Sequence, residues 1–115
     1  MQHCYCSICR HLSGAAFQTW MPCARLDWGD SDVELVRTTS HGSRHRCRGC
    51  GSVMTIVYDA QPDTVWPAAG AIDDDALPSR DDCRALYRQI HICCATVPPW
   101  YELPADGRPR LPFAS

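Results

Sequence analysis

The feature that most constrains this chain is a cluster of three cysteines close to its start. Cys4, Cys6 and Cys9 lie in the run CYCSIC, which has the spacing C-x-C-x-x-C. Thiolates this close in sequence can reach one metal ion without long-range folding, and zinc is the metal that such sites usually hold. The alternative for each cysteine is a small, buried apolar side chain. We call these three residues the cysteine triplet, and it predicts a metal site.

A second cysteine motif lies near the middle of the chain. Cys47 and Cys50 belong to the run CRGCGS, residues 47–52, which we call the knuckle. Its two glycines give the backbone the freedom to point amide groups at sulfur. The knuckle therefore predicts half of a second metal site. A redox C-x-x-C is the alternative, but the βαβ pattern typical of that motif does not surround it.

The other cysteines give weaker signals: Cys23 and Cys83 are predicted to be buried apolar residues, and so is one of Cys93 and Cys94. Cys23 and Cys83 are isolated in the sequence. Cys93 and Cys94 are adjacent on a predicted strand, so their side chains should point to opposite faces and not reach one metal together.

Length, composition and charge narrow the class of protein. The chain has 115 residues and nine cysteines, a size that fits one domain over residues 1–115. No apolar signal segment is visible, and no run approaches the roughly 20 apolar residues that span a bilayer. We therefore expect a cytoplasmic protein without a membrane partner, where clustered cysteines bind metal rather than form disulfides. The net charge of −2 disfavours nucleic acid as a partner.

The pattern of apolar and β-branched residues predicts a mainly β, largely antiparallel fold of short strands with a few helical turns. Residues 7–14 should form helical turns that end at Gly14, and 73–87 should form further short helical turns. Residues 40–45 should form a turn or loop, and the proline-rich tail after residue 97 should not continue a central sheet. Strands are predicted at 15–23, 33–39, 52–59, 63–72 and 89–97.

Histidine and arginine side chains offer weaker signals. His3 is either a solvated residue near the terminus or a fourth ligand beside the triplet. His91, on an apolar strand, is typical of a hydrogen-bonded core histidine. Arg44, Arg46 and Arg48 surround the knuckle, where they would offset the charge of a thiolate site or form a small patch for nucleic acid.

Four segments of the chain resemble one enzyme family in the expected order. CYCSICRHLSGAAFQTWM is similar to the C-H-C-x-x-C-R-x-x-S-G-A segment of the glutathione-dependent formaldehyde-activating enzyme family, which also includes centromere protein V. RHRCRGCGS resembles the family's second cysteine knuckle, and AAGAIDDDALP resembles its G-x-L-D-D-P-x-x-L stretch. QIHICCATVPPWYEL resembles its H-I-W-x-x-x-x-P-P-W ending. Together these segments cover residues 3 to about 103.

The resemblance implies an Mss4-like, or β-tent, zinc-binding fold with one or two zinc ions per chain. Cys4, Cys6 and Cys9 match the ligands of the family's catalytic zinc, which keeps one position open. Cys47 and Cys50 match half of its structural zinc site. The implied activity is that of a carbon–sulfur lyase, in which zinc assists the addition of glutathione, or another small thiol, to formaldehyde.

Residues beside the triplet are candidates for binding the thiol substrate. Arg10 and the turn at Ser13 and Gly14 follow the triplet closely and could contact a substrate carboxylate. The alternative is a surface arginine followed by an ordinary helix stop. The rival function, from another class, is a noncatalytic zinc-binding module that acts through protein or nucleic-acid partners.

The sequence departs from the family pattern at two places. The family's segment before the triplet, with early strands and the other half of the structural zinc site, has no counterpart here. We therefore expect the missing ligands to come from Cys93, Cys94, a histidine or a second chain, and an exposed sheet edge to favour a homodimer. Cys93 and Cys94 also replace the aromatic and aliphatic residues that the family usually has.

Overall fold

The computed structural model describes residues 1–114, which form two compact units. The first contains Met1–Thr19 and the described part of Asp73–Ser115, and the second is Trp20–Ile72. The expectation of a single domain over 1–115 stays a prediction, and each unit is described here by itself.

Seven strands in two sheets make up most of the regular structure within residues 1–114. The predicted mainly β class is therefore confirmed, and the architecture agrees with the small β zinc-binding fold that the resemblance implied. Two short α-helices, α1 (Ser7–Ser13) and α2 (Arg80–Leu86), accompany three 3-10 turns at Ala69–Ala71, Asp74–Ala76 and Cys94–Thr96. The strands are β1 (Gln2–Cys4), β2 (Gln18–Trp20), β3 (Val33–Arg37), β4 (Gly42–Cys47), β5 (Val53–Tyr58), β6 (Trp66–Pro67) and β7 (Ile90–Ile92).

The sheet of the first unit has the order β2-β1-β7. Strands β1 and β7 are parallel, with Cys4 opposite Ile92, whereas the sequence predicted largely antiparallel pairing. A parallel pair needs a long connection, and most of the chain lies between these two strands. Because the strands run in the same direction, the residues that follow β1 lie beside those that follow β7. The Tyr5 amide accordingly donates a hydrogen bond to the Ile92 carbonyl at 3.1 Å.

A Tyr–His–Asp hydrogen-bond chain runs from two buried residues of the first unit to the exposed Asp106. The hydroxyl of Tyr5 lies 3.0 Å from Nδ1 of His91, and Nε2 of His91 lies 2.9 Å from Oδ2 of Asp106. Tyr5 and His91 are 0% and 2% exposed. The hydrogen bond from His91 lowers the pKa of Asp106 to about 2. His91 is thus the hydrogen-bonded core histidine that the sequence predicted, and it connects the C-terminal segment to β7.

Helix α1 begins and ends as the sequence predicted. Its N-cap is Cys6, whose Sγ accepts a hydrogen bond from the Cys9 amide at 3.3 Å. Gly14 follows the last turn with φ 69°, and its amide donates to the Arg10 carbonyl at 2.8 Å. Only glycine adopts this left-handed conformation without steric cost, which is why the helix ends there.

The second unit contains the sheet β3-β4-β5-β6, in which all neighbours are antiparallel. The loop predicted for residues 40–45 was wrong from Gly42 onward, because Gly42–Cys47 forms the strand β4. The sequence of β4 lacks the usual strand pattern because many of its side chains are polar. In the structure, the buried polar side chains form hydrogen bonds. Arg44 is 5% exposed and donates from Nη1 to Thr38 Oγ1 at 2.5 Å. Nδ1 of His45 lies 2.7 Å from Thr55 Oγ1.

Three predicted strands are much shorter than expected, and in residues 15–23 only Gln18–Trp20 forms the strand β2. Residues 63–72 contain only the two-residue β6, after which the chain turns into a 3-10 helix. In residues 89–97, β7 ends at Ile92 because Cys93 has φ 57°, which no strand residue adopts. Cys93 and Cys94 therefore do not alternate across a strand, and that interpretation was wrong.

The helices within residues 1–114 are far too short for a bilayer. The α-helices have seven residues each, and none could serve as a transmembrane span.

Candidate metal centre

The end of β1 and the start of α1 bring the cysteine triplet together. Cys4 is the last residue of β1, Cys6 is the N-cap of α1, and Cys9 lies in its first turn. Cys6 and Cys9 are three residues apart, a spacing that places both side chains on one side of the helix start. The three Sγ atoms lie within 4.8 Å of one another. A short strand and one helix cap are thus enough to assemble the cluster.

The triplet has a buried side and an accessible side. Cys4 is 6% exposed and Cys9 is 1% exposed, whereas Cys6 is half-buried. A small molecule that approaches the cluster from solvent therefore meets Cys6 first.

Hydrogen bonds within the triplet shift the pKa values of Cys4 and Cys6 in opposite directions. Thiol hydrogen bonds from Cys4 and then Cys9 lower the pKa of Cys6, and the backbone amide of Cys9 adds to this effect. The hydrogen bond to Cys6 in turn raises the pKa of Cys4, followed by the hydrogen bond to Cys9 and burial. A thiolate that accepts hydrogen bonds is stabilised relative to the thiol. These hydrogen bonds favour the thiolate form at Cys6 and the thiol form at Cys4.

The donor set and spacing of the triplet fit zinc. Zinc prefers thiolate sulfur in a tetrahedral arrangement with bonds of about 2.3 Å, which places the sulfurs about 3.8 Å apart. The observed separations, up to 4.8 Å, come within small side-chain rotations of this value. Within residues 1–114, no other group of three or more His, Cys, Asp or Glu side chains has this convergence. The triplet could thus hold a metal with three protein ligands.

His3 does not join the triplet. Its Nδ1 lies 2.7 Å from Thr19 Oγ1 and its Nε2 lies 2.8 Å from Gln89 Oε1, so both ring nitrogens have partners. The expectation of a solvated terminal residue was also wrong, because β1 lies between β2 and β7 in the sheet and the His3 ring contacts Thr19 and Gln89. The position of β1 inside a sheet was not visible in the sequence.

Cys93 is the neighbour of the triplet that sequence reasoning missed. Its Sγ lies 3.8 Å from the Sγ of Cys4. Its positive φ costs about 1–2 kcal/mol for a residue with a Cβ, and its amide donates to the Phe113 carbonyl at 3.1 Å. The only sequence signal was the presence of a cysteine, because a strand pattern gives no hint of a left-handed residue.

The candidate substrate-binding residues lie on α1 and at its end. Nε of Arg10 donates to the Tyr5 carbonyl at 3.3 Å, which holds the guanidinium beside the segment that carries the triplet. The Ser13 hydroxyl donates to the Cys9 carbonyl at 2.7 Å, and Gly14 ends the helix. These contacts give each residue a structural role, and their substrate contacts stay a prediction.

The knuckle has the predicted geometry within the second unit. The Gly51 amide donates to the Cys47 carbonyl at 2.9 Å, and Gly51 has φ 78°. Backbone amides of Cys50 and then Gly49 point at the Cys47 sulfur and lower the pKa of that thiol. These amides therefore favour the thiolate form of Cys47 over the thiol. Within the described residues of its unit, the knuckle cysteines do not belong to a group of three ligands.

Arginines near the knuckle pair with carboxylates of β3 and the preceding turn. Nε of Arg46 lies 3.1 Å from Glu34 Oε1, and Nε of Arg48 lies 3.1 Å from Asp32 Oδ1. These ion pairs neutralise the basic charge that a nucleic-acid patch would need.

The fold and the site define a small, mainly β protein with a three-cysteine cluster of metal-ligand type. The family model for the glutathione-dependent formaldehyde-activating enzyme matches residues 1–94, so the chain belongs to that family. It is also 29% identical to a protein of Halomonas elongata named "Putative glutathione-dependent formaldehyde-activating enzyme", over 93% of this chain and 69% of the relative. No solved structure matches significantly. The family resemblance is confirmed and supports an enzyme of this family, and the lyase reaction itself stays a prediction.

Proposed function

We propose that this chain catalyses the reversible addition of a small thiol, glutathione or a close analogue, to formaldehyde. The observation that carries the proposal is the convergence of Cys4, Cys6 and Cys9, with sulfurs within 4.8 Å, in a chain of the formaldehyde-activating family. Three thiolates occupy three of the four positions of tetrahedral zinc and leave one for the substrate.

The chemistry divides between the metal and the chain. Zinc, when bound, lowers the pKa of a thiol at its fourth position, so that the thiol is held as a nucleophilic thiolate. Cys4 and Cys9 lie on the buried side of the site, and the substrate would approach from the more exposed side, where Cys6 lies. A thiolate-rich site withdraws little charge from a carbonyl, so thiol activation suits these ligands better than activation of the aldehyde.

The addition itself balances without a further reagent. The thiolate sulfur forms a bond to the carbonyl carbon of formaldehyde as the carbon–oxygen π bond breaks. The proton that the thiol released ends on the new alkoxide oxygen, which gives S-hydroxymethyl-glutathione. No electrons are gained or lost overall, and the reverse reaction follows the same steps in the opposite order.

Arg10 is the residue that we propose for holding the substrate. Glutathione carries carboxylates, and a guanidinium binds a carboxylate through two parallel hydrogen bonds. The bond from Nε of Arg10 to the Tyr5 carbonyl orients the guanidinium while its two Nη groups can face a ligand. Ser13 and Gly14 would support this position from the end of α1.

Further parts of the proposal concern the second metal and the assembly. Cys47 and Cys50 would hold a structural zinc together with ligands from elsewhere in this chain or a second copy. A homodimer through a sheet edge and a cytoplasmic location likewise stay predictions.

Exchange NMR of glutathione and formaldehyde tests the proposal directly. We expect zinc-loaded wild-type protein to accelerate the exchange and Cys6→Ser to return it to the protein-free rate. Serine is itself a preferred N-cap, so this variant should keep α1 intact. Cys83→Ser, which changes a cysteine of α2 outside the triplet, is the matched control and should behave as wild type.

The outcome separates the two classes of function. Equal exchange rates for wild type and Cys6→Ser, with zinc present in the wild type, would overturn the enzymatic proposal for this substrate. The noncatalytic zinc-binding module would then be the function to pursue.

A further inference from the structure

We propose that Cys93 is a fourth thiolate ligand, which closes the metal site of the triplet until a substrate thiol displaces it. This inference rests on the proposed function, because it concerns the position at which the substrate thiol binds. In this proposal, the site alternates between a closed state with four protein sulfurs as ligands and an open state with three. Cys93 would thereby favour substrates that are themselves thiols, since a weaker ligand such as water competes poorly with a thiolate for zinc.

The distance between Cys93 and Cys4 is the first support. Their Sγ atoms are 3.8 Å apart. Two sulfurs bonded at about 2.3 Å to one tetrahedral zinc are separated by about 3.8 Å. Cys93 therefore already has the spacing of a shared ligand pair with the buried sulfur of Cys4.

The backbone around Cys93 is the second support. Cys93 is, within residues 1–114, the one residue other than glycine with a positive φ, at 57°. Such conformations persist where the surrounding structure enforces them, and they are concentrated at functional sites. Here the conformation turns the chain away from β7 directly after Ile92, at the point where the parallel β1 ends with Cys4.

Several hydrogen bonds fix this turn beside the triplet. The amides of Cys94 and Ala95 donate to the carbonyls of Leu111 and Pro112 at 3.0 and 3.1 Å. The hydroxyl of Thr96 lies 3.1 Å from the Tyr5 carbonyl, between Cys4 and Cys6 in sequence. The turn is therefore anchored on one side to the C-terminal segment and on the other to the segment that carries the triplet.

Cys93 is close to the triplet without being a full member of it. The group in which every sulfur lies within 4.8 Å of every other contains Cys4, Cys6 and Cys9 but not Cys93. A ligand at the margin of the cluster is the one that an incoming thiol can replace most easily. In the exchange, the incoming sulfur takes the place of the Cys93 sulfur, and its proton passes to the Cys93 thiolate as that group leaves.

Cobalt substitution tests this proposal by spectroscopy rather than by activity. Co²⁺ added to the metal-depleted protein gives a sulfur-to-metal charge-transfer band whose intensity scales with the number of thiolate ligands. We expect Cys93→Ser to lose about one quarter of the intensity that comes from the triplet site, because one of its four thiolates is missing. The protein is kept reduced with a phosphine, which prevents a Cys4–Cys93 disulfide and adds no competing thiol.

Two further variants make the comparison specific. Cys94→Ser removes the adjacent thiol, which has no described contact with a triplet sulfur within residues 1–114, and should keep the full band. Cys93→Asn removes the thiol but tolerates a positive φ, so it should match Cys93→Ser even if serine disturbs the turn. The knuckle is intact in all proteins, so any cobalt bound there cancels in the differences.

Reduced glutathione then reports on the open position. Its addition should restore the band of Cys93→Ser to the wild-type level and leave the wild-type band nearly unchanged. If wild type and Cys93→Ser have equal band intensities, both lower than that of a four-thiolate site, Cys93 is not a ligand. That result would overturn the role of Cys93 and would leave the proposed function unaffected. A wild-type band no stronger than that of Cys6→Ser would overturn both.

Discussion

Tyr5 shows how one residue can serve the fold and the site at once. It lies between two cysteines of the triplet and is fully buried. Its ring packs against Phe17 and Tyr101, with centroid distances of 5.1 and 5.9 Å, and its hydroxyl lies 3.0 Å from His91 Nδ1. Because its backbone neighbours are Cys4 and Cys6, whatever holds Tyr5 in place also holds the cluster.

We expect Tyr5→Phe to destabilise the protein while the ring packing is kept. The change leaves a nitrogen of the buried His91 without its partner, which costs about 1–3 kcal/mol in the free energy of unfolding. Urea denaturation of the zinc-loaded protein measures this difference. Tyr87→Phe is the matched control, because no hydroxyl hydrogen bond of Tyr87 is described within residues 1–114, and it should change stability by less than about 0.5 kcal/mol. Equal effects of the two changes would contradict the structural role of Tyr5.

At the residue scale, the sequence predicted best where chemistry depends on spacing alone. The triplet and the knuckle were visible because a turn brings nearby thiols together whatever the rest of the fold does. His3 and Cys93 could not be predicted, because their surroundings depend on the pairing of β1 with β7, strands at opposite ends of the sequence. The substrate contacts of Arg10, Ser13 and Gly14 stay predictions.

Helix α1 is the element that connects the fold to the site. Its first turn carries two of the three cysteines, and its last residue precedes Gly14. A seven-residue helix has little stability of its own, so its caps matter more than its interior. The conformation of Gly14 is therefore part of what fixes the cysteines of the first turn.

We expect Gly14→Ala to lower the free energy of unfolding by about 1 kcal/mol, because a Cβ is disfavoured at φ 69°. A Cβ at this position would meet nothing within 4 Å, so the effect would be conformational rather than a clash. Gly70→Ala is the control, because Gly70 also has open space around a Cβ but lacks a positive φ. It should leave stability unchanged or slightly increased. Urea midpoints that shift equally for both variants would argue against the cap.

Elements were predictable where their sequence pattern is local. The pattern of residues 7–14 predicts a helix that ends at a glycine, and the run VMTIVY predicts the strand β5. Strand β4 was missed because its buried side chains include Ser43 and Arg44, whose partners lie on other segments. The parallel pairing of β1 and β7 was missed because local patterns do not record which distant strands meet.

At the scale of the whole chain, the metal would supplement a small hydrophobic core. A domain of this length buries a limited fraction of its surface, and a metal that ties a strand end to a helix start compensates for that limit. The family assignment, which covers residues 1–94, agrees with the order of motifs in the sequence. That order was recognisable because each motif is short and carries its own chemistry.

The zinc content of the purified protein tests the central claim, that the triplet is the metal centre, most directly. Elemental analysis after dialysis against a chelator should show that Cys6→Ser has lost about one zinc ion per chain relative to wild type, because Cys4, Cys9 and Cys93 do not converge as the triplet does. Cys83→Ser should keep the wild-type content, and circular dichroism should show that all three proteins are folded. A Cys6→Ser protein that is folded and retains as much zinc as wild type would contradict the account.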